Sequence, residues 1–248
     1  MTLRIAMWSG PRNISTAMMR AWENRTDCTV MDEPFYGAYL AATGRDHPMR
    51  AEVLAAMETK WQAVAQACAA DGDRPLIFQK HMCQHMIAEA PLNWMRSCVH
   101  AFLIRPPVEV AASFGQKFAE MTAEDLGFQR QAELFDRVSQ MAGAAPPVIE
   151  ARDVLAAPEA MLRALCDRFD VPFDPQMLSW PAGRRETDGI WAAHWYGAVE
   201  RSTGFARPAP PAKAVPEHRQ IVDACKPYYD MLRTYRLDPF AGRVPAGE

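Results

Sequence analysis

The chain lacks any long hydrophobic run. Although 49% of its 248 residues are hydrophobic, no apolar stretch approaches the roughly 18 residues needed to cross a bilayer. The first residues also lack the basic flank and apolar segment of a secretory signal. We therefore expect a protein of the cytoplasm that has no membrane partner and that has enough apolar residues to bury a sizeable core.

Net charge and closely paired cysteines are also scarce. A formal net charge of −3 provides no overall basic field, so we expect no nucleic-acid partner, and local groups must bind any anion. The six cysteines include no Cys-x-x-Cys pair, which is typical of reduced thiols rather than of structural zinc. The histidines without ligand spacing, which we interpret as surface or core residues, are His47, His85, His100, His194 and His218. The sequence therefore predicts no metal site.

Short apolar runs alternate with segments of helical spacing. The strand-like runs are 3–8, 28–31, 75–78, 99–104 and 147–149. Helical spacing begins at residue 15 and recurs over 50–70, 108–118, 122–141, 158–169 and 216–235. The alternation predicts a three-layer α/β fold, in which a central, mainly parallel sheet of about five strands carries helices on both faces. We assign residues 1–240 to a single domain that includes an irregular segment over 179–211, and residues 241–248 to a frayed tail.

The turn after the first apolar run carries an anion-binding pattern. That run ends at Ser9, and helical spacing begins at Ser15. Backbone N–H groups and the positive end of a helix dipole therefore meet at one spot, where Arg12 adds a guanidinium and Ser15 and Thr16 add hydroxyls. This pattern predicts a phosphate site; the alternative is an ordinary turn capped by Ser15.

Other polar residues also follow predicted strands. In open parallel sheets, ligands bind beyond the carboxyl ends of the strands. We therefore expect the loop 9–16 to share one rim of the sheet with Asp32, Glu33, Lys80, His81 and Arg105.

Two segments resemble the donor-binding motifs of sulfotransferases that use 3′-phosphoadenosine 5′-phosphosulfate (PAPS). Residues 11–16, Pro-Arg-Asn-Ile-Ser-Thr, resemble the 5′-phosphosulfate loop, whose usual form is Pro-Lys-Ser-Gly-Thr-Thr. Residues 103–113, Leu-Ile-Arg-Pro-Pro-Val-Glu-Val-Ala-Ala-Ser, resemble the 3′-phosphate segment, in which a Ser follows eight residues after an Arg. Residues 151–175 resemble a strand, loop and helix common in bacterial members. A plant and bacterial subgroup, in which such a domain stands beside aminotransferase-like proteins, carries a run very similar to residues 7–16.

The resemblance implies a fold, a donor and a set of binding residues. The fold would be the P-loop-like α/β fold of sulfotransferases, the donor PAPS and the product 3′,5′-diphosphoadenosine (PAP), with no metal required. The acceptor would be a hydroxyl or amine of a small molecule. A homodimer is one possible oligomeric state. Residues of the 5′-phosphosulfate site would be Ser9, Gly10, Pro11, Arg12, Asn13, Ile14, Ser15 and Thr16. Arg105 and Ser113 would hold the 3′-phosphate, with Arg184 and Arg185 as further candidates.

Catalytic roles also follow from the resemblance. Arg12 would stabilise charge on the departing phosphate oxygen, and Lys80 could bridge the leaving group and the acceptor. The candidates for the base are His81, because a histidine titrates near neutrality, and Glu33, because burial can raise the pKa of a carboxyl; a base elsewhere in the chain is the third alternative.

Three positions depart from the family pattern. Arg12 replaces a Lys, Ile14 replaces a loop Gly that could require a positive φ, and Pro106 replaces the Asp of Arg-Asp-Pro. Two alternative functions therefore stay open. One is a P-loop kinase or NTPase that binds Mg²⁺ through Asp32, although the chain lacks Gly-Lys-Ser/Thr; the other is a degenerate nucleotide-binding or interaction module that kept the fold and lost the transfer activity.

Overall fold

A computed structural model describes residues 2–118, 120–213 and 215–240. The proposed tail, 241–248, lies outside the described residues. The strands are β1 (Leu3–Ser9), β2 (Cys28–Asp32), β3 (Leu76–Met82), β4 (Val99–Ile104) and β5 (Val148–Glu150). They form one parallel sheet in the order β2-β3-β1-β4-β5. The predicted five-stranded α/β sheet is therefore confirmed.

Helices cover both faces of this sheet. In chain order the helices are α1 (Ser15–Glu23), α2 (Tyr36–Thr43), α3 (Arg50–Ala56), α4 (Trp61–Ala69), α5 (Pro107–Phe114), α6 (Ala123–Leu126), α7 (Phe128–Ala142), α8 (Ala151–Ala156), α9 (Pro158–Arg168), α10 (Ala192–Trp195), α11 (Gly197–Glu200) and α12 (Arg219–Arg233). Alternate side chains of β1 belong to two cores: Ile5 and Met7 pack with α1, α2, α8 and α9, while Ala6 and Trp8 pack with α4, α5, α7 and α12. The three layers follow from this alternation.

Strand β3 is longer than its hydrophobic pattern predicted. We expected it to end at residue 78, but it continues to Met82, and all seven residues are buried. The polar residues at its end pair with both neighbours, because Lys80 lies beside Asp32 of β2 and His81 beside Trp8 of β1. Lys80 and His81 are consecutive strand residues, so their side chains point to opposite faces of the sheet.

Local backbone geometry divides two of the predicted helices. The segment 50–70 forms α3 and α4, separated at Met57, whose backbone is extended (φ −112°, ψ 153°). The segment 122–141 forms α6 and α7 on either side of Gly127, which has a positive φ of 70°. The irregular segment 179–211 contains only the short helices α10 and α11 and an isolated antiparallel bridge between Ser179 and Gly204.

Candidate active site

A cavity of about 360 Å³ opens at the carboxyl ends of the strands. The loop that leads into α1 lines one side, together with Arg105 and Ser113. Glu33 and Lys80 lie on its floor. Aromatic rings form much of the remaining wall: Tyr36, Tyr39, Phe114, Phe118, Trp191, Trp195 and Tyr196. The expected rim of the sheet is therefore a cavity with cationic, acidic and aromatic parts.

The N-terminus of α1 has no side-chain cap. Its N-cap residue is Ile14, and no side chain hydrogen-bonds to the first turn, so the alternative of a Ser15-capped turn is wrong. The Asn13 side chain instead braces the loop: its Nδ2 donates to the Leu103 carbonyl at 2.9 Å, and its Oδ1 accepts from the Ile14 N–H at 3.1 Å. The first N–H groups of α1 are thus left for solvent or a ligand.

The loop does not need a glycine at position 14. Ile14 has an ordinary φ of −78°, and the positive φ occurs at Arg12, at 55°. The close approach occurs at Gly10, where an added Cβ would lie 2.6 Å from the Leu126 carbonyl oxygen. The departure from the family pattern at Ile14 is therefore compatible with a phosphate loop.

Arg12 and Arg105 connect the two sequence motifs. Arg12 Nε donates to Ser113 Oγ at 3.0 Å, and Arg105 Nη1 donates to the Arg12 carbonyl at 2.8 Å. The buried carboxylate of Glu109 holds Arg105 Nε at 2.9 Å and, on its other side, Arg152. Burial, and then the charge of Arg105, lower the pKa of Arg12. An anion between the two guanidinium groups would favour the charged form of Arg12 and so oppose both effects.

Lys80 is enclosed by hydrogen-bond acceptors. Its Nζ lies 2.8 Å from Asp32 Oδ1, 2.6 Å from Glu33 Oε1 and 2.5 Å from Tyr196 Oη. Burial alone would lower the pKa of Lys80, but the two carboxylates raise it well above its usual value. An ammonium group has three N–H donors, and all three are occupied here. This arrangement does not favour the bridging role that the resemblance implied.

Glu33 is the carboxylate of this cluster that reaches the cavity. Its backbone has a positive φ of 46°, and its N–H is fixed by the Lys80 carbonyl at 2.9 Å. Oε1 accepts from Lys80, whereas Oε2 lies 3.9 Å from Nδ1 of His85, which is beyond hydrogen-bond distance. Burial raises the pKa of Glu33. A partly exposed carboxylate with a raised pKa is suited to accept a proton.

Comparison with known proteins identifies the family. The family model described as "Sulfotransferase domain" matches residues 3–236. The chain belongs to this sulfotransferase family. The "Branched-chain-amino-acid aminotransferase-like" proteins 2 and 1 of Arabidopsis thaliana are each 35% identical to it over 93% of the chain. The chain spans only 41% and 42% of their respective lengths.

Two solved sulfotransferases share the fold. The "Sulfotransferase Domain from the Curacin Biosynthetic Pathway" has a TM-score of 0.53 at 17% identity, covering 91% of this chain and 98% of that one. The sulfotransferase from Alicyclobacillus acidocaldarius has a TM-score of 0.55 at 10% identity, covering 96% and 98%. Within the described ranges, none of the helices of this chain combines the length and hydropathy of a membrane span.

His81 lies outside the cavity. Its ring stacks on Trp8 at 4.5 Å between centroids, on the face of the sheet opposite to Lys80, and its Nε2 lies 3.0 Å from Gln79 Oε1. Burial, and then His100, lower the pKa of His81 to about 3. A buried, neutral ring away from the cavity is a core residue, so the position of His81 does not support its interpretation as the base.

His81 and its neighbour His100 make an acid-sensitive core. Burial lowers the pKa of His100 to about 4, and the ring accepts from Trp8 Nε1 at 3.0 Å. Both folded-state pKa values lie below the ordinary value near 6.5, so the unfolded chain binds protons first as the pH falls. Stability is therefore complete above about pH 6.5 and is lost as the pH falls toward the folded-state values.

We expect His81→Phe to weaken this pH dependence. One histidine contributes a slope of about 1.4 kcal/mol per pH unit to the free energy of unfolding between about pH 6 and pH 4. The variant should lose that contribution while His100 retains its own. Urea unfolding followed by circular dichroism at several pH values measures both slopes. Equal slopes in the variant and the parent would contradict the assignment of a neutral, buried His81.

His85, which we expected to be a surface or core histidine, lines the cavity, as does His47. It ends a single-turn 3-10 helix, Cys83–His85, directly after β3, and stacks between Tyr36 at 4.6 Å and Tyr39 at 4.9 Å. Burial lowers its pKa well below the ordinary value, and its buried Nδ1 has no hydrogen-bond partner among the described residues. The predicted strand ended at residue 78, so His85 did not directly follow a predicted strand and no local signal marked it as a cavity residue.

Arg184 and Arg185 lie away from the proposed 3′-phosphate groups. Arg185 donates to the Pro181 carbonyl at 3.1 Å and lies 3.9 Å from Glu23, at the far end of α1. Arg184 is exposed, and neither residue lines the cavity. The buried ion pair between Arg20 and Asp188, at 2.6 Å, fixes their segment near that end of α1. Their positions do not support the interpretation that they bind the 3′-phosphate.

Proposed function

We propose that this sulfotransferase moves a sulfuryl group from PAPS to a hydroxyl or amine of a small-molecule acceptor. One observation carries the proposal: two cationic groups suited to phosphates, Arg12 at the uncapped α1 with its Nε on Ser113, and Arg105, line the same cavity as Glu33. A donor with phosphates at both ends of an adenosine matches two such groups, and an acceptor atom then has a carboxylate to receive its proton.

Donor binding is proposed for the loop and for the start of α5. The first N–H groups of α1 and the Nη groups of Arg12 would bind the 5′-phosphosulfate, since Arg12 uses Nε to reach Ser113. Arg105 Nη2 and the Ser113 hydroxyl would bind the 3′-phosphate. Ser113 bonds directly to Arg12, so both subsites are held by one connected set of side chains.

The transfer itself needs charge stabilisation and a base. PAPS supplies the sulfuryl group, whose bond to the 5′-phosphate oxygen breaks as a bond to the acceptor oxygen or nitrogen forms. Arg12 and the α1 dipole stabilise the negative charge left on the phosphate. Glu33 accepts the acceptor's proton, and Lys80 stays protonated because its pKa is raised well above the ordinary value.

The kinase alternative conflicts with the surroundings of Asp32. A Walker-B carboxylate must leave room for Mg²⁺ and its waters. Here Asp32 accepts from Lys80 at 2.8 Å, from the Gly189 N–H at 3.0 Å and from Tyr196 at 2.8 Å on both oxygens. Its oxygens are fully engaged, which favours sulfuryl transfer over Mg²⁺-dependent phosphoryl transfer.

Thermal unfolding with nucleotides tests the proposal. PAP without metal, at about 100 times its Kd, should stabilise the fold by about 2.7 kcal/mol and raise Tm by roughly 5–10 °C. ATP with Mg²⁺ and adenosine 5′-monophosphate should give smaller shifts, because neither carries a 3′-phosphate. A larger shift with ATP and Mg²⁺ would favour the kinase, and no shift with any nucleotide would favour a degenerate module and overturn the proposal.

A further inference from the structure

The irregular segment before α11 is fastened to the sheet at Asp32. Gly189 donates its backbone N–H to Asp32 Oδ2 at 3.0 Å, and Tyr196 donates its hydroxyl to the same carboxylate at 2.8 Å. Trp191 Nε1 adds a bond to the Tyr196 oxygen at 3.2 Å. Gly189 and Tyr196, which are more than 150 residues from Asp32 in sequence, thus pack against the carboxyl end of β2.

Tyr196 occupies a central place in this network. A phenol has one proton to donate and can accept further hydrogen bonds. Its proton goes to Asp32, and its oxygen accepts from Lys80 and from Trp191. Its ring also lies against the ammonium, with Lys80 Nζ 4.9 Å from the ring centroid. Tyr196 therefore holds Lys80 from one side and satisfies Asp32 at the same time.

Lys80 binds two carboxylates, only one of which lines the cavity. Asp32 is enclosed, whereas Glu33 reaches the cavity. Each carboxylate attracts the ammonium, and an ammonium drawn fully to one carboxylate would leave the other uncompensated. The Tyr196 hydroxyl offers Asp32 a second donor, so Asp32 does not need to take the ammonium away from Glu33.

We propose that Tyr196 is a positioning residue for Glu33: through Asp32 it keeps Lys80 against Glu33 Oε1 and so leaves Oε2 to face the acceptor. The catalytic meaning of this assignment rests on the proposed function, because it takes Glu33 as the base. The arrangement of Tyr196, Asp32 and Lys80 itself does not depend on what the cavity binds.

Tyr196→Phe is the variant that tests the assignment. It keeps the ring against Lys80 and removes only the hydroxyl. Without that donor, Asp32 draws Lys80 toward itself and Glu33 loses part of its compensation, so the pKa of Glu33 should rise by about one unit. The groups that face Glu33 from the surrounding elements are Asp32, Tyr36, Lys80, His85 and Tyr196 itself, and the first four must stay unchanged in the comparison.

Tyr229→Phe is the matched control. Tyr229 is also buried, and its hydroxyl donates to the buried carboxylate of Glu150 at 2.9 Å, outside the cavity. Both variants lose one tyrosine hydroxyl and one bond to a carboxylate. Only Tyr196→Phe should alter Glu33.

The decisive readout is a carbon-13 NMR titration of the glutamate carboxyl groups, with the Glu33 signal assigned from Glu33→Gln. We expect the Glu33 pKa to rise in Tyr196→Phe and to stay unchanged in Tyr229→Phe. The rate of PAP release from PAPS, measured across pH without acceptor and with 4-nitrophenol as the probe, should be about tenfold lower on the acidic limb of the profile in Tyr196→Phe and stay within twofold in Tyr229→Phe. PAP affinity should change by less than twofold in either variant.

A second variant keeps the test decisive if Tyr196→Phe does not fold. Asp32→Asn removes a charge that itself raises the pKa of Glu33 and that competes for Lys80, so this pKa should fall, and adding Tyr196→Phe to Asp32→Asn should produce no further rise, because Tyr196 acts through Asp32. An unchanged Glu33 pKa in the folded variant, or an equal rise in Tyr229→Phe, would overturn the assignment. If the pKa shifts as expected but the parent protein neither binds PAP nor releases it from PAPS, the positioning stands and the proposed function fails.

Discussion

Replacing Glu33 with glutamine is expected to lower the rate of PAP formation from PAPS by about 10²- to 10⁴-fold, the usual contribution of a general base. The amide keeps the shape of the side chain and can still accept from Lys80, but it cannot take a proton. PAP affinity should stay within about twofold, because the proposed phosphate groups, Arg12 and Arg105, lie elsewhere in the cavity. Steady-state rates and isothermal titration with PAP measure the two effects separately.

The pH profile adds a second test of Glu33. The pKa of this carboxyl is raised by burial, so the basic form is gained only as the pH rises through that value and is lost below it. The parent rate should therefore fall on the acidic side with a single protonation, and this limb should be absent from the residual rate of Glu33→Gln. His81→Phe is the control, since His81 lies on the other face of the sheet. Lost turnover in folded His81→Phe, with turnover retained in Glu33→Gln, would contradict our assignment of the base.

The alternation of apolar runs and helical segments was sufficient to predict the layers of the fold. It was insufficient at the end of β3, where Gln79, Lys80 and His81 resemble a polar turn in the sequence. Neighbouring strands on both sides bury these residues and satisfy their backbone, so the strand continues to Met82. That extension of four residues decides which face each side chain takes, and it separates His81 from Lys80.

Long-range contacts explain what the sequence could not show about the site. The loop motif and the segment around Arg105 were recognisable because each is local, and strand order then brings them together. Tyr196 and Asp188 belong to a segment without periodicity, and their partners, Asp32 and Arg20, are more than 150 residues away. No local pattern encodes such a pairing, so the polar network beneath Glu33 was invisible in the sequence.

If Arg105 binds the 3′-phosphate, its removal should weaken PAP binding selectively. Arg105→Ala is expected to weaken PAP binding by about 100-fold, because charge-assisted hydrogen bonds contribute about 1.5–3 kcal/mol each and Arg105 also braces the Arg12 carbonyl. Binding of adenosine 5′-monophosphate, which lacks the 3′-phosphate, should weaken far less. Isothermal titration with the two nucleotides separates loss of the 3′-phosphate contact from general damage to the loop.

Arg152→Ala is the matched control for this prediction. Arg152 contacts the same buried carboxylate of Glu109 as Arg105 does, at 2.6 Å, but does not line the cavity. Both variants leave Glu109 with one cation instead of two. A similar decrease in the free energy of unfolding in both would therefore come from the loss of charge compensation at Glu109. Only Arg105→Ala should weaken the binding of PAP much more than the binding of adenosine 5′-monophosphate. Equal losses for both nucleotides in Arg105→Ala, or an equal loss of PAP binding in Arg152→Ala, would show that Arg105 shapes the loop without touching the 3′-phosphate.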